Sequence, residues 1–383
     1  MMTKRAFTTI TDIGTVADAR GWQYRADPEA TAQTRYVDVS RTLPEEALDM
    51  LYNMARHSED FYAREWKSAD FIAQKYFARL YSVSPEPMGQ GFTCEIPDVT
   101  LLSSYGVAIS AQGDLLAQST IYRDLRDMQL ICAIHASKPL IILPEGLWVS
   151  LQSYSATNYS HWMNDCLTRL MLIDTSDPEL RFIVPADARP FHFEFLSLLG
   201  IDSERLYQPK EIHPSLHARR FLLTHGSKGI GRAHVVLMQR LRDRLWARLG
   251  VTPTHTRRLY LSRAKATRPV VNEAELVPIL EKNDFELFFP EDHSVSDQIR
   301  MFADAAAVAG VHSSGLYNIQ FCKPGARLLE IYNRQRWEIS TSRIASLLGH
   351  QHWHLYADNL SAEHKTHIDP EKFERWLRPV FSQ

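Results

Sequence analysis

The chain lacks the short signatures of the commonest nucleotide chemistry. No Gly-x-Gly-x-x-Gly is present, and the cluster of Gly226, Gly229 and Gly231 does not fit that spacing. No Gly-x-x-x-x-Gly-Lys-Ser/Thr occurs either. A dinucleotide-dependent oxidoreductase and a P-loop NTPase are thereby disfavoured. Gly-x-Ser-x-Gly is missing, so there is no nucleophile elbow for a serine hydrolase. Asp124 and Asp127 stand in Tyr-Arg-Asp-Leu-Arg-Asp and do not form the Asp-x-Asp triplet of metal-dependent sugar-nucleotide enzymes. The four cysteines, Cys94, Cys132, Cys166 and Cys322, contain no Cys-x-x-Cys pair. A disulfide framework or thiolate zinc site is not expected, and reduced cytoplasmic thiols are. His352 and His354 flank Trp353 without a carboxylate at ligand spacing, so no metal is expected there. No apolar run approaches the roughly 18–20 residues of a spanning helix. The first residues carry no apolar signal-peptide segment. The expectation is a cytoplasmic protein that meets a membrane only peripherally, at its inner face. Net charge is −2, from 43 basic and 45 acidic residues, which argues against a nucleic-acid partner.

What is present is an α/β pattern. The 383 residues suffice for two domains. Residues 44–81 read as aromatic-rich helices packed on a sheet. From Val99 to Val149 short apolar strands follow one another, with Gln112-Gly113 as a hairpin turn. Helices and strands then alternate. A helix over 159–173 is followed by the strands Arg-Phe-Ile-Val and Arg-Arg-Phe-Leu-Leu-Thr-His, and by a long amphipathic helix ending at Gly250. Residues 251–256 read as a linker. Beyond it, strand–helix units repeat with short connections, which predicts a parallel sheet with right-handed crossovers. Asn272 with Glu275, and Ser294 with Asp297, are capping-box-like helix starts. The expected domains are 1–250 and 251–365, with a terminal helix in 366–383.

Three constellations carry chemistry. On the 159–173 helix, His161, Asp165, Thr168 and Arg169 fall on one face, and Trp162, Met163, Cys166 and Leu167 on the other. A carboxylate beside a cation stays ionised, which suits a general base. Spacing alone leaves open a solvated face with an i,i+4 ion pair. Arg263, Lys265 and Arg268 follow the strand Arg-Leu-Tyr-Leu-Ser and could hold a diphosphate or form a solvated basic loop. The strand 305–311 breaks into His312, Ser313, Ser314, Gly315 and Leu316. Small residues there permit close approach, and a helix start presents free N–H groups to an anion. Asn318 and Glu330 are placed to hold a nucleoside, or else the segment is a tight strand–helix turn.

At these residues the chain resembles glycosyltransferase family 61. Asn158-Tyr-Ser-His161-Trp162-Met-Asn-Asp165 is similar to that family's Asn-Tyr-x-His-Trp-x-x-Asp segment. The blocks 257–276 and 285–332 resemble its Ser-Arg basic loop and its long C-terminal block. One departure stands out. His312-Ser313-Ser314-Gly315-Leu316 occupies the place of the family's His-Gly-Ala-Gly-Leu, so two small residues carry hydroxyls.

The resemblance implies a GT-B-like pair of Rossmann-like domains facing a cleft, with a helical and β-hairpin-containing N-terminal region. It implies inverting transfer from a nucleotide-sugar to a hydroxyl of a glycan or lipid-linked glycan, with no cofactor and no metal. The product class is a capsule or other surface polysaccharide. In these terms Asp165 is the expected base, with His161 the alternative base or an orienting partner. Asn158, Trp162 and Arg169 lie on the acceptor side. Arg263, Lys265, Arg268, His312, Ser313, Ser314, Gly315, Leu316, Asn318 and Glu330 lie on the donor side. The terminal helix is expected to cross back to the first domain. The competing expectation is a non-catalytic nucleotide-sugar or glycan-binding protein on the same scaffold.

Overall fold

The computed structural model describes residues 9–10, 12–30, 91–102, 105–119, 132, 139–210, 215–226, 234–266, 268–332, 340–357, 359–360 and 366–381. The aromatic-rich stretch 44–81, Asp124, Asp127, Gly229 and Gly231 lie outside the described residues. Two compact units divide the chain. The described residues of 1–33 and 87–248 form one, and those of 249–383 the other.

The first unit is built on ten strands among the described residues: β1 Thr9–Ile10, β2 Gln23–Ala26, β3 Phe92–Leu102, β4 Val107–Ile109, β5 Leu115–Leu116, β6 Leu140–Ile142, β7 Leu147–Ser150, β8 Leu180–Ile183, β9 Leu206–Tyr207 and β10 Ser215–His225. The sheet is mixed, and the β-hairpin expected in the N-terminal region is part of it. Its main path runs β1-β5-β4-β3-β10-β7-β8-β9. β3 and β4 pair antiparallel, as do β4 and β5 through the Gln112-Gly113 turn, where Gly113 takes φ 86°. β7, β8, β9 and β10 run parallel. The long β3–β10 ladder joins the two halves, because alternate residues of both strands are apolar and bury Cys94, Ile96, Phe221 and Leu223 in one core.

Within the parallel half the chain moves outward from β7 to β8 to β9, then returns to the other side of β7 as β10. The strand order reverses at β7. Ligands of open α/β sheets bind outside the carboxyl ends of strands at such a reversal.

The second unit is a five-stranded parallel sheet: β11 Arg257–Leu261, β12 Glu286–Phe288, β13 Ala305–Val311, β14 Arg327–Tyr332 and β15 Gln351–Tyr356, in the order β12-β11-β13-β14-β15. This is the doubly wound pattern expected after the linker. β13 is an almost unbroken apolar run because both its faces are covered. Helices Glu273–Lys282 and Pro370–Phe381 cover one face, where Leu276, Leu280, Phe373 and Leu377 meet Ala309, Leu329 and Ile331. The strand order reverses between β11 and β13, which are in register at Leu261 and Gly310. A Cβ on Gly310 would stand 3.1 Å from both the Cβ and the carbonyl oxygen of Leu261, so this position accepts only glycine without displacement.

The terminal helix packs in the core of the second unit: Phe373 is edge-on to Tyr260 at 6.2 Å, and Phe381 edge-on to Phe285 at 5.0 Å. An amphipathic helix docks where its apolar stripe finds a partner, and this sheet face supplies one. Asn272 does not cap its helix. Its side chain donates to the Ile368 carbonyl and accepts from the Ile368 N–H, tying the helix start to the chain before the terminal helix. The helix start after β13 is that of a short 3-10 helix, Ser314–Phe321. Ser294 does cap as expected, accepting from the Asp297 N–H.

Candidate functional site

In the first unit the chain leaves β7 through Leu151, Gln152 and Ser153, all buried. It enters a helix at Asn158. The extended backbone of Asn158 lets its side-chain oxygen accept from the Ser160 N–H and hydroxyl at 3.0 and 2.7 Å. The helix is α over Tyr159–His161, π over Trp162–Leu167, and α again over Thr168–Leu170. Side chains four residues on donate back to the loosened carbonyls. Asn164 bonds the Ser160 oxygen, Thr168 the Asn164 oxygen, and Arg169 the Asp165 oxygen, at 2.6–2.8 Å. π-segments inside α-helices mark functional sites often enough to be informative.

The Nδ1 of His161 lies 2.8 Å from Oδ2 of Asp165. The Asp165 side chain is wholly buried, whereas that of His161 is 21% exposed. The polar stripe is therefore not a solvated face: Asp165, Thr168 and Arg169 are all buried. Arg169 does not pair with the Asp165 carboxylate, as the spacing suggested. Its guanidinium holds main-chain oxygens of Asp165 and Gln152 instead. Trp162, expected on the acceptor side, is fully buried with its ring 4.5 Å from that of His192. Burial holds His192 below its ordinary range despite bonds to main-chain oxygens.

In the second unit the two donor-side motifs lie at the carboxyl ends of the two strands that flank the reversal. After β11, the Ser262 hydroxyl donates to Glu273 Oε2 at 2.5 Å, and the Arg263 N–H reaches Oε1 at 3.3 Å. Glu273 thus staples the strand end to the next helix. The Arg263 side chain is largely buried, and its Nε donates to the Arg268 carbonyl at 2.8 Å, closing the loop. Lys265 points to a more open side, paired with Asp292 and 5.2 Å from the centre of the Phe289 ring.

After β13, His312, Ser313, Ser314 and Gly315 are partly exposed, while Leu316 is buried. Ser313 has extended backbone and makes no capping bond. Gly315 sits where a Cβ would lie 3.2 Å from the Leu261 side chain and 3.4 Å from Pro290. Two expected nucleoside contacts are turned inward. Asn318 is buried and donates to Gln298 at 2.8 Å. Glu330 is buried, with His312 Nδ1 at 2.6 Å on one oxygen, and the Tyr332 hydroxyl and His352 Nε2 at 2.7 and 2.8 Å on the other. The spacing of His352 and Glu330 on neighbouring strands gave no sign of this link, because it depends on register.

All four cysteines are buried and unpaired. Burial pushes the Cys166 thiol up to about 11, so it is no nucleophile at neutral pH. Among the described residues no group of three or more His, Cys, Asp or Glu is arranged to hold a metal ion, and no helix is long and apolar enough to cross a membrane.

A search of curated proteins gives no match. Residues 159–329 match the family model described as Glycosyltransferase 61, a span that begins at the His161–Asp165 helix and includes the Arg263 loop and the His312 turn. On that match residues 159–329 are similar to glycosyltransferase family 61.

Proposed function

We propose that the protein is an inverting, metal-independent glycosyltransferase that moves a sugar from a nucleotide-sugar to a hydroxyl of a glycan acceptor in surface polysaccharide synthesis. The observation that carries this reading is the His161–Asp165 pair, 2.8 Å apart, on the first helix after the strand where the first sheet reverses. Its exposure pattern shifts the roles from those expected. A buried carboxylate cannot itself meet an acceptor, but it can hold an imidazole by Nδ1–H and stabilise the imidazolium that forms. His161 then takes the hydroxyl proton through Nε2, and Asp165 orients it. The acceptor oxygen attacks the anomeric carbon as the bond to the diphosphate oxygen breaks. Charge grows on the diphosphate, and Arg263 and the Ser314–Leu316 turn lie at the strand ends where an anion is expected. A GT-B-like arrangement, with the donor on the second unit and the acceptor on the first, belongs to the same proposal, as does a cytoplasmic or inner-membrane-peripheral setting.

The test is a thermal-shift screen of the whole chain against UDP, GDP and CDP and their sugar conjugates, followed by transfer assays with whichever donor stabilises it. Stabilisation by one base, and transfer that persists in EDTA with inverted anomeric configuration, is expected. Retained configuration, or loss of activity in EDTA, would overturn the corresponding part. Tight nucleotide binding without any sugar release would favour a non-catalytic binding protein.

A further inference from the structure

The polar side chains under the His312 turn come from two neighbouring strands. On β14 the period of two puts Leu329 and Ile331 in the apolar core, and Leu328, Glu330 and Tyr332 on the opposite face. On β15 it puts Trp353 and Leu355 with the apolar core, and His352 and His354 opposite. Glu330 pairs in register with His354, and Leu328 with His352. Glu330, Tyr332, His352 and His354 therefore share one face beneath the carboxyl end of β13, where His312 emerges.

A fully buried carboxylate needs compensation. Burial would raise the Glu330 carboxyl, but hydrogen bonds from His312 and His352 hold it well below the usual range, so it is an anion. The compensating proton has few places to sit. Tyr332 contributes a hydroxyl donor. His352 contributes Nε2–H, and its Nδ1 is buried without a partner. A second proton on His352 would bury an N–H with no acceptor, which is costly. Burial pushes His354 down to about 3, so its ring is neutral. The ring of His312 is left. It is 11% exposed, donates Nδ1–H to Glu330 at 2.6 Å, and stacks on Tyr332 at 5.6 Å, with Tyr317 edge-on at 6.5 Å.

We propose that Glu330, itself fixed by Tyr332 and His352, is a positioning residue that holds His312 as an imidazolium, so that Nε2–H is presented as a charged donor to a diphosphate oxygen of the ligand. The proton stays on Nε2 throughout transfer. The nucleoside diphosphate leaves with one more negative charge, and the hydrogen bond from His312 strengthens as that charge appears. A neutral ring with its proton on Nδ1 would instead turn a lone pair towards the phosphate. This inference rests on the donor-site reading given above and specifies how that site holds its anion.

The test has two arms on the full chain. The first is long-range ¹H–¹⁵N NMR of histidine-labelled protein at neutral pH, with His312 identified by its loss in His312→Gln. His312 is expected to show two protonated ring nitrogens, and His352 one proton, on Nε2. A His312 ring with a single proton overturns the inference, whatever the protein binds. The second arm is calorimetric titration with inorganic pyrophosphate. Glu330→Gln and His312→Gln should each weaken binding about tenfold, and the double variant no further, because the two act as one unit. Unchanged binding by a folded Glu330→Gln overturns the inference. If Glu330→Gln fails to fold, Tyr332→Phe takes its place, with a smaller loss expected and no loss overturning. A wild-type protein that ignores pyrophosphate while His312 carries two protons would sink the donor-site reading instead.

Discussion

The His161 imidazole is joined by Nδ1 to a carboxylate, Asp165 Oδ2, that has no exposure of its own. Two substitutions separate their roles. His161→Ala removes the group that meets the hydroxyl. Asp165→Asn keeps a hydrogen-bonding side chain but can accept or donate, so it permits the wrong tautomer. Both are expected to lower kcat by about 10³–10⁴-fold, as orienting carboxylates and bases do where they work as a unit. Both residues belong to the first unit and the proposed donor site to the second, so affinity for the nucleoside diphosphate should stay within about twofold of wild type. Steady-state transfer assays with parallel calorimetry check both halves. Near-normal turnover by His161→Ala would reassign the base.

Arg263 differs from Lys265 in how it is held. The Arg263 fork is largely buried and its Nε is fixed on the Arg268 carbonyl, while Lys265 is half exposed and shares its charge with Asp292. Preorganised guanidinium forks bind phosphate more strongly than solvated ammonium groups. Arg263→Ala should weaken nucleoside diphosphate binding by about tenfold to a hundredfold, the range of one or two charge-assisted hydrogen bonds. Lys265→Ala should cost less than about threefold, as exposed pairs do. Titration of both variants with the diphosphate that stabilises the wild type decides this. Equal losses would place the anion on the Lys265 side of the loop.

These residues were legible in the sequence to different depths. The alternation after residue 256 gave the second sheet, because every strand there is flanked by short turns and its apolar pattern is local. The i,i+4 link of His161 and Asp165 was legible for the same reason. Burial was not. Asp165, Thr168 and Arg169 read as a polar stripe, and only the packing of the π-segment against the end of β7 shows that they face inward. The β14–β15 register that brings His352 to Glu330 spans a helix and two strands, so spacing could not reveal it. The mixed character of the first sheet was hidden likewise. β3 and β10 are long alternating strands that read alike in either direction, and their antiparallel pairing is fixed by residues more than a hundred positions apart.

The buried His354 makes stability depend on pH. Its ordinary value is 6.5, and burial lowers it to about 3 in the folded chain. Between those values the unfolded chain binds a proton that the folded chain does not. Stability therefore rises with pH across this window, is complete above about 6.5, and is lost as pH falls towards 3, by up to about 1.4 kcal/mol per pH unit for one such group. Glu330 adds a contribution of the same sign at lower pH, because its folded value is depressed: its share is present above the ordinary carboxylate range and is lost below it. Thermal melts from pH 7.5 to 5 should show a falling Tm. His354→Phe should flatten that dependence, provided the ring packs in the same space. A dependence unchanged by the substitution would assign the acid sensitivity to other groups, of which His192 in the first unit is one.

The terminal helix closes the apolar face of the second sheet. Phe373 is fully buried against Tyr260, and Leu377, Val380 and Phe381 continue the same stripe onto the helix Glu273–Lys282. Tyr260 immediately precedes Leu261, Ser262 and Arg263, so this packing sits directly behind the β11 strand end. Phe373→Ala should cost about 3–5 kcal/mol, the range for removing a large buried aromatic ring. The loss should be local. Hydrogen exchange followed by mass spectrometry should report faster exchange in β11, the 273–282 helix and the terminal helix, with β7 and the 159–170 helix unchanged. Because Ser262 and Arg263 take their positions from β11 and Glu273, the same variant should also weaken nucleoside diphosphate binding without contacting it. Protection lost first in the 159–170 helix would contradict the assignment of this helix to the second unit's core. The expected order of loss follows from burial alone: the sheet face that loses its cover opens, and the strand end that carries Arg263 opens with it.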